Sequence, residues 1–225
     1  METRPISIAI DGPSGAGKST IAKRLAATLG FVYVDTGALY RTVGYAAVQA
    51  GIDCHDADAV TALLPAITVE LCHVDGIQRV LLCGEDVSDR IRTPEISMAA
   101  SAVSAIPAVR TFLFETQQDM ARRHNVIMDG RDIGTVVLPD AQVKIFLSAS
   151  AEARAQRRYK ELIEKGETVT FEAVLEDMKQ RDYNDSHRAL APLKPAPGAV
   201  MVDTTEMTLE ESVAYIEQLV REKLS

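Results

Sequence analysis

The chain has 225 residues, of which 47% are hydrophobic and 25% charged, a balance that excludes an intrinsically disordered protein. This length predicts one large domain, or one domain with an insertion, that can bury a sizeable core. The net charge of −8, without a block of basic residues, argues against a nucleic-acid partner. Arginine nevertheless makes up 16 of the 24 basic residues, and because its side chain binds phosphate bidentately, a small phosphorylated ligand is favoured.

The first predicted element is a strand at residues 6–10, which leads into a glycine-rich loop. Residues 12–19 match the phosphate-loop (P-loop) pattern of Gly, four residues, Gly, Lys and Ser. Apolar residues at helical spacing follow, and Gly30 is the predicted stop. A strand, a glycine loop and a helix in this order predict binding of a nucleoside triphosphate.

The residue types in the loop suit a phosphate ligand. Gly12, Gly15 and Gly17 carry no Cβ, so the backbone can curve its N–H groups around an anion at the positive end of the helix dipole. Lys18 supplies a mobile charge for the outer phosphates, and the Ser19 hydroxyl suits Mg²⁺. The alternative is a glycine-rich turn that caps the helix and binds nothing.

A second strand, at residues 31–34, is expected to end where a second anion could bind. Thr36 and the first amides of a helix at residues 38–50 could hold that anion, with Arg41 nearby. The alternative is that Asp35 or Thr36 simply caps this helix.

The pattern changes in the following segment. Residues 53–58 are read as an acidic link, and the runs at 67–71 and 78–82 flank Asp75-Gly76, which is a hairpin signal. Because a parallel core rarely contains such a hairpin, residues 64–92 are predicted to be an inserted antiparallel sheet. Helices are expected at residues 94–105 and 107–124, each with proline near its first turn.

The remaining chain alternates strands with helices. Strands are predicted at residues 126–128, 143–147 and 199–202, and helices at 151–164, 171–184 and 209–223. This alternation predicts an α/β fold with a doubly wound, five-stranded parallel sheet, whose ligands lie beyond the carboxyl ends of the strands. At such an end, Asp129 could orient Mg²⁺ and Arg131 could hold a phosphate. The alternative is a plain Asp-Gly turn.

Two further groups of arginines stand at helical spacing. The first group, Arg154, Arg157 and Arg158, shares one predicted helix face, and a bound anion would relieve the repulsion among the three guanidinium groups. The segment that carries them could move as a lid. The alternative is a solvated face neutralised by glutamates in the same helix. In the second group, Arg181 and Arg188 flank Asp185, and the alternative there is a surface ion-pair ladder.

Other residue classes are uninformative about chemistry. The three cysteines, Cys54, Cys72 and Cys83, lack the spacing of a metal or redox site, so buried free thiols are expected. No signal peptide or membrane span is recognised, which predicts a cytoplasmic protein without a membrane partner.

Blocks along nearly the whole chain resemble bacterial cytidylate (CMP/dCMP) kinases. The resemblance is carried by residues 10–18, 35–41, 84–87 with 91–93, 129–137, 144–147, and 181–182 through 191–193. It implies a nucleoside-monophosphate (NMP) kinase fold with a core at about 1–35, 107–150 and 185–225. An NMP-binding region with the β insert is implied at about 36–106, and a helical lid at about 151–170.

The resemblance also implies ATP with Mg²⁺ as donor and CMP or dCMP as acceptor. A monomer is expected because few exposed apolar stretches can be proposed. The residues implied for ATP are Gly12, Pro13, Ser14, Gly15, Ala16, Gly17, Lys18, Ser19 and Thr20. Those implied for CMP are Thr36, Tyr40, Arg41, Ser101, Arg110, Gly130, Arg131, Asp132, Arg181, Asp185 and Arg188. The expected catalytic charges are Lys18, Arg131, Arg154, Arg157, Arg158, Arg181 and Arg188, and the expected metal-binding residues are Ser19 and Asp129.

Some family members have Gly where Ser19 stands, so Thr20 is a rival Mg²⁺ ligand. Some have Ser at position 36, which keeps the hydroxyl of Thr36. The rival functions are a P-loop kinase for another acceptor, such as UMP or shikimate, and a nucleotide sensor without turnover.

Overall fold

A computed structural model describes residues 4–224, which divide into two compact units. The middle unit comprises Val32–Val126, and the P-loop unit comprises Ile6–Phe31 and the chain from Ile127 onward.

Eight strands and eight α-helices make up the described chain. The strands are β1 (Ser7–Asp11), β2 (Val32–Asp35), β3 (Val69–Val74), β4 (Ile77–Leu82), β5 (Glu85–Asp86), β6 (Val126–Gly130), β7 (Val143–Ser148) and β8 (Val200–Asp203). The helices are α1 (Lys18–Leu29), α2 (Thr36–Gln49), α3 (Ala57–Leu63), α4 (Pro94–Val103), α5 (Pro107–Arg123), α6 (Ala151–Glu164), α7 (Phe171–His187) and α8 (Leu209–Leu224).

The five-stranded sheet has the order β2-β6-β1-β7-β8, and β7 pairs in parallel with both β1 and β8. The predicted α/β class with a parallel sheet is therefore confirmed. Ile8, Ala9 and Ile10 of β1 are fully buried, as expected for a strand covered by helices on both faces.

The predicted insert is a separate antiparallel sheet with the order β3-β4-β5. Val74 pairs with Ile77 across Asp75-Gly76, whose φ angles are both positive (52° and 75°), as a two-residue hairpin turn requires. The two-residue strand β5 was not predicted, since a segment so short carries no periodicity.

The interpretation of residues 53–58 as a link was wrong, because helix α3 begins within that segment. Asp56 caps α3 by accepting hydrogen bonds from the amides of Asp58 and Ala59. The acidic residues therefore mark a helix start. Val60 on this helix joins the core of the middle unit, which also includes Leu39 on α2, Val103 on α4 and Leu113 on α5.

In the P-loop unit, helix α6 begins and ends as predicted, and α7 is three residues longer than predicted. Both helices pack through Ala155, Leu162, Val174 and Met178. A π-helix at Ile133–Val137 was not predicted.

No single helix in residues 4–224 is long and apolar enough to cross a membrane. Helices α4 and α5 pass that test of length and composition only as a pair, with a bend of 101° between them. Val103 on α4 and Leu113 on α5 are buried in the core of the middle unit. The three cysteines are free thiols, as expected, but only Cys54 is buried: Cys72 is half-buried and Cys83 is exposed, so the expected burial was wrong for these two.

Candidate active site

The loop between β1 and α1 has the backbone geometry of an anion-binding loop. Gly12, Gly15 and Gly17 have φ angles of 148°, 76° and 88°. A Cβ on Gly12 would overlap the carbonyl oxygen of Leu147, so this position requires glycine for space as well as for conformation. No side chain caps α1, which leaves its first amides directed at the loop.

Lys18 is buried at the start of α1. Its Nζ donates to the carbonyl oxygen of Pro13 at 2.7 Å. Burial, and then the charge of Arg131, lower the pKa of Lys18 to about 7, against the opposing effects of nearby carboxylates led by Asp129. The hydrogen-bond partner of Nζ is thus a neutral carbonyl, and a triphosphate would place negative charge beside this ammonium group.

The Ser19 hydroxyl donates to Oδ2 of Asp129 at 2.8 Å. Asp129 and Gly130 continue strand β6, so the alternative of a plain Asp-Gly turn is wrong. A hydroxyl and a carboxylate are the hard oxygen ligands that Mg²⁺ prefers, and the residues present therefore fit this ion. Within residues 4–224, no group of three or more His, Cys, Asp or Glu side chains could hold a metal.

Asp11 is a buried residue of the site that sequence reasoning missed. Its carboxylate accepts hydrogen bonds from the amides of Ile133 (2.7 Å) and Gly134 (2.8 Å). Burial raises the pKa of Asp11 to about 6, although these two bonds act in the opposite direction. Asp11 thereby ties the start of the phosphate loop to the segment after β6, and an acid directly before Gly12 was the only signal for it.

Two ion pairs link the end of β6 with α7 and the segment after it. Arg131 Nε donates to Oδ2 of Asp185 at 2.7 Å, and Arg188 Nη2 donates to Oδ1 of Asp132 at 3.3 Å. The Asp185 side chain and both partners of the Arg188–Asp132 pair are less than a tenth exposed. The surface-ladder alternative is therefore wrong.

The electrostatics of Asp185 follow from this arrangement. Burial alone would raise its pKa, but Arg131, with smaller contributions from Arg188 and Arg181, holds that pKa below the usual value. Burial alone would lower the pKa of Arg131, but Asp185, together with Asp129 and Asp182, raises it above its ordinary value. The structure thus brings together four of the residues predicted to bind CMP, namely Arg131, Asp132, Asp185 and Arg188.

The three arginines of α6 do not form one open cluster, contrary to expectation. Arg154 is buried and pairs bidentately with Asp182, and its Nη1 also donates to the Ser14 carbonyl at 3.0 Å. The other two have separate partners: Arg157 donates to the Thr204 carbonyl, and Arg158 pairs with Glu161. Helical spacing places the Cα atoms on one face, whereas long side chains are directed by whichever acceptors surround them.

In the middle unit, Asp35 is the N-cap of α2, as the capping alternative states. Its Oδ1 accepts from the Ala38 amide at 3.0 Å, and its Oδ2 accepts from Arg41 at 2.8 Å and from Arg92 at 3.4 Å. Thr36 is buried in the first turn of this helix. Arg92 was not predicted to lie here, because its approach to Asp35 spans 57 residues.

The remaining predicted residues of the middle unit lie on α2, α4 and α5. Arg110 lies over the ring of Tyr40, 5.7 Å from its centroid, and donates to the Ser104 carbonyl at 3.3 Å. The Ser101 hydroxyl is buried and makes no hydrogen bond to any part of the chain between residues 4 and 224. A buried hydroxyl of this kind is well suited to bind a ligand that supplies the missing hydrogen-bonding group.

A glycine loop that opens a helix, with a buried lysine and a hydroxyl–carboxylate pair on a parallel sheet, defines a P-loop protein of the nucleotide-binding class. The family model described as cytidylate kinase matches residues 8–222. The chain belongs to the cytidylate kinase family, which confirms the resemblance seen in the sequence.

Individual relatives agree with this assignment. The cytidylate kinase of Caldicellulosiruptor saccharolyticus is 50% identical over 216 residues, covering 96% of each chain. That of Pasteurella multocida is 48% identical over 217 residues, covering 95% of this chain and 96% of its own. A crystal structure of an uncharacterized protein from Eubacterium ventriosum, 14% identical with a TM-score of 0.52, covers 96% of this chain and 98% of its own and shares the fold.

Proposed function

We propose that this protein transfers the γ-phosphoryl group of ATP to the phosphate of CMP or dCMP, forming CDP or dCDP and ADP. Membership of the cytidylate kinase family across residues 8–222 carries the proposal. The phosphate loop of the P-loop unit is consistent with it, since the loop residues 12–20 offer amides, glycines and a lysine to a triphosphate.

Lys18 and the loop amides bind the donor in this proposal. The Lys18 ammonium exchanges the Pro13 carbonyl for the phosphate oxygens, where its charge offsets the charge that develops during transfer. The Ser19 hydroxyl and Asp129 would hold Mg²⁺ or its water ligands, and this ion neutralises and orients the triphosphate when bound. The Ser19–Asp129 hydrogen bond favours Ser19 over Thr20 in this role.

The transfer itself needs no general base. An oxygen of the CMP phosphate attacks the γ-phosphorus, the bond from this phosphorus to the β,γ-bridging oxygen breaks, and ADP leaves with that electron pair. A phosphomonoester has its second pKa near 6, so the acceptor is largely a dianion at neutral pH. Catalysis then rests on position and positive charge, for which we propose Lys18, Arg131, Arg181, Arg188 and the arginines of α6.

The residues proposed to bind CMP form two groups, one in each unit, and each group is proposed separately. In the P-loop unit we propose Gly130, Arg131, Asp132, Arg181, Asp185 and Arg188, and in the middle unit Thr36, Tyr40, Arg41, Ser101 and Arg110. The Ser101 hydroxyl supports the second group, because a base with its own hydrogen-bonding edge would satisfy it. Residues 151–170 are proposed as a lid whose closure excludes water from the phosphoryl group.

A coupled assay of ADP release across CMP, dCMP, UMP, AMP and shikimate tests the function. Turnover with CMP or dCMP is expected, turnover with another acceptor alone would replace the proposed substrate, and silence with all five would favour a sensor. Lys18→Met is expected to lower kcat by orders of magnitude while CMP still binds, as measured by calorimetry. Near-normal turnover in that variant would refute the role of Lys18. The cytoplasmic location, the monomeric state and the lack of a nucleic-acid partner stay predictions.

A further inference from the structure

The antiparallel insert contacts strand β2 through the side chain of Gln78, which binds the backbone of Asp35. Gln78 on β4 accepts a hydrogen bond from the backbone amide of Asp35 at 2.8 Å, and its Nε2 donates to the backbone carbonyl of Asp35 at 3.3 Å. One side chain therefore fixes both peptide groups of the residue at which β2 ends and α2 begins.

Asp35 in turn determines where the first charged group of α2 lies. Its buried carboxylate caps the helix at Ala38 and forms the ion pairs with Arg41 and Arg92. Arg41 Nε is buried and makes no hydrogen bond within residues 4–224, so the pair with Asp35 is a main determinant of this guanidinium's direction. A shift of the Asp35 backbone would therefore move the cap and Arg41 together.

A second side chain of the insert offers an internal comparison. His73 on β3 stands directly opposite Gln78 in the hairpin register. Its Nε2 contacts the carbonyl oxygen of Tyr33 at 3.1 Å, two residues before Asp35. Both side chains anchor the hairpin on β2, but only Gln78 contacts the residue that orients Arg41.

We propose that Gln78 is a positioning residue for the acceptor, which acts by fixing Asp35 and thereby Thr36 and Arg41. This inference rests on the proposed function, in which Thr36 and Arg41 contact the CMP phosphate and sugar. The insert then serves the reaction through one hydrogen-bonding side chain, as well as enlarging the fold.

The test compares Gln78→Met, which keeps the length of the side chain but removes both hydrogen bonds, with His73→Ala. For Gln78→Met we expect the KM for CMP to rise about tenfold, from the loss of two hydrogen bonds to Asp35, with the KM for ATP unchanged. For His73→Ala we expect both KM values to stay within about twofold of wild type. An equal rise in both variants would overturn the proposal, because it would show a general loosening of the insert.

Amide hydrogen exchange, read residue by residue by NMR in the ligand-free protein, keeps this test independent of turnover. We expect faster exchange at Asp35 and Ala38 in Gln78→Met but not in His73→Ala, since these two amides depend on the fixed Asp35. Unchanged exchange in Gln78→Met would overturn the positioning role. Wild-type protein that does not phosphorylate CMP would refute the proposed function instead, and the exchange result would still decide whether Gln78 positions Asp35.

Discussion

Binding of ATP should draw a proton onto Lys18 near neutral pH. In the ligand-free protein, burial and the charge of Arg131 hold the pKa of Lys18 near 7, with its Nζ on the Pro13 carbonyl. A triphosphate placed against this nitrogen stabilises the ammonium form and raises that pKa. Because the bound state holds more protons than the free state, affinity must fall as pH rises through the free-state pKa.

The size of the effect follows from the free-state pKa. With a pKa of about 7, about 50% of Lys18 is neutral at pH 7 and about 90% at pH 8. Binding at pH 8 should therefore take up most of one proton per protein, and the Kd for ATP should rise by up to about tenfold per pH unit above the free-state pKa. The phosphates of ATP do not confuse this measurement, because their last pKa lies near 6.

Calorimetry in two buffers with different ionisation enthalpies measures the proton uptake directly. We would titrate ATP into the protein at pH 8 and compare the observed enthalpies. The Lys18→Arg variant is the matched control, since its guanidinium stays charged at this pH and should give no proton uptake. Equal enthalpies in both buffers for wild-type protein would refute the reasoning, as would equal proton uptake in the arginine variant.

Two further substitutions test contacts that hold the phosphate loop. Gly12→Ala should lower the free energy of unfolding by more than ~3 kcal/mol and abolish ATP binding, because the new methyl group meets the Leu147 carbonyl; thermal unfolding and an ATP titration measure this. Asp182→Asn should cost about 2 to 3 kcal/mol in urea unfolding, because it leaves the buried Arg154 guanidinium without its carboxylate.

Matched controls separate these effects from general damage. Gly30 also has a positive φ (70°), but a Cβ added there would meet no atom within 4 Å. Gly30→Ala should therefore lower the free energy of unfolding by only about 1 kcal/mol. Glu161→Gln breaks exposed pairs with Arg158 and Lys165 on the same helix as Arg154, and its cost should be below ~1 kcal/mol. Equal losses in a variant and its control would contradict the contacts described.

Local chemistry made much of the fold predictable. The phosphate loop is recognisable in the sequence because glycines at the positions of positive φ, a lysine and the start of a helix occur within a dozen residues. The Asp75-Gly76 turn is equally local, since few residue pairs tolerate two positive φ angles. Helix α3 was not predicted although Asp56 is a local signal for its start, because a run of acidic residues is as typical of an exposed link as of a helix cap.

The partners of the arginines were not predictable in the same way. Arg131 lies 54 residues from Asp185, and Arg154 lies 28 residues from Asp182. Several acidic residues compete for each flexible guanidinium, and spacing along one helix cannot choose among them. The same holds for Asp11, whose carboxylate accepts hydrogen bonds from amides that lie 122 and 123 residues later in the chain.

The amino-acid sequence by itself determined the family, the alternation of strands and helices, and the phosphate loop, because each depends on conformational preferences within a few residues. Tertiary structure decided which carboxylate orients which arginine, and that Gln78 of the insert holds Asp35. Those choices depend on distances between side chains that meet only when remote segments pack, and no local preference encodes such a distance.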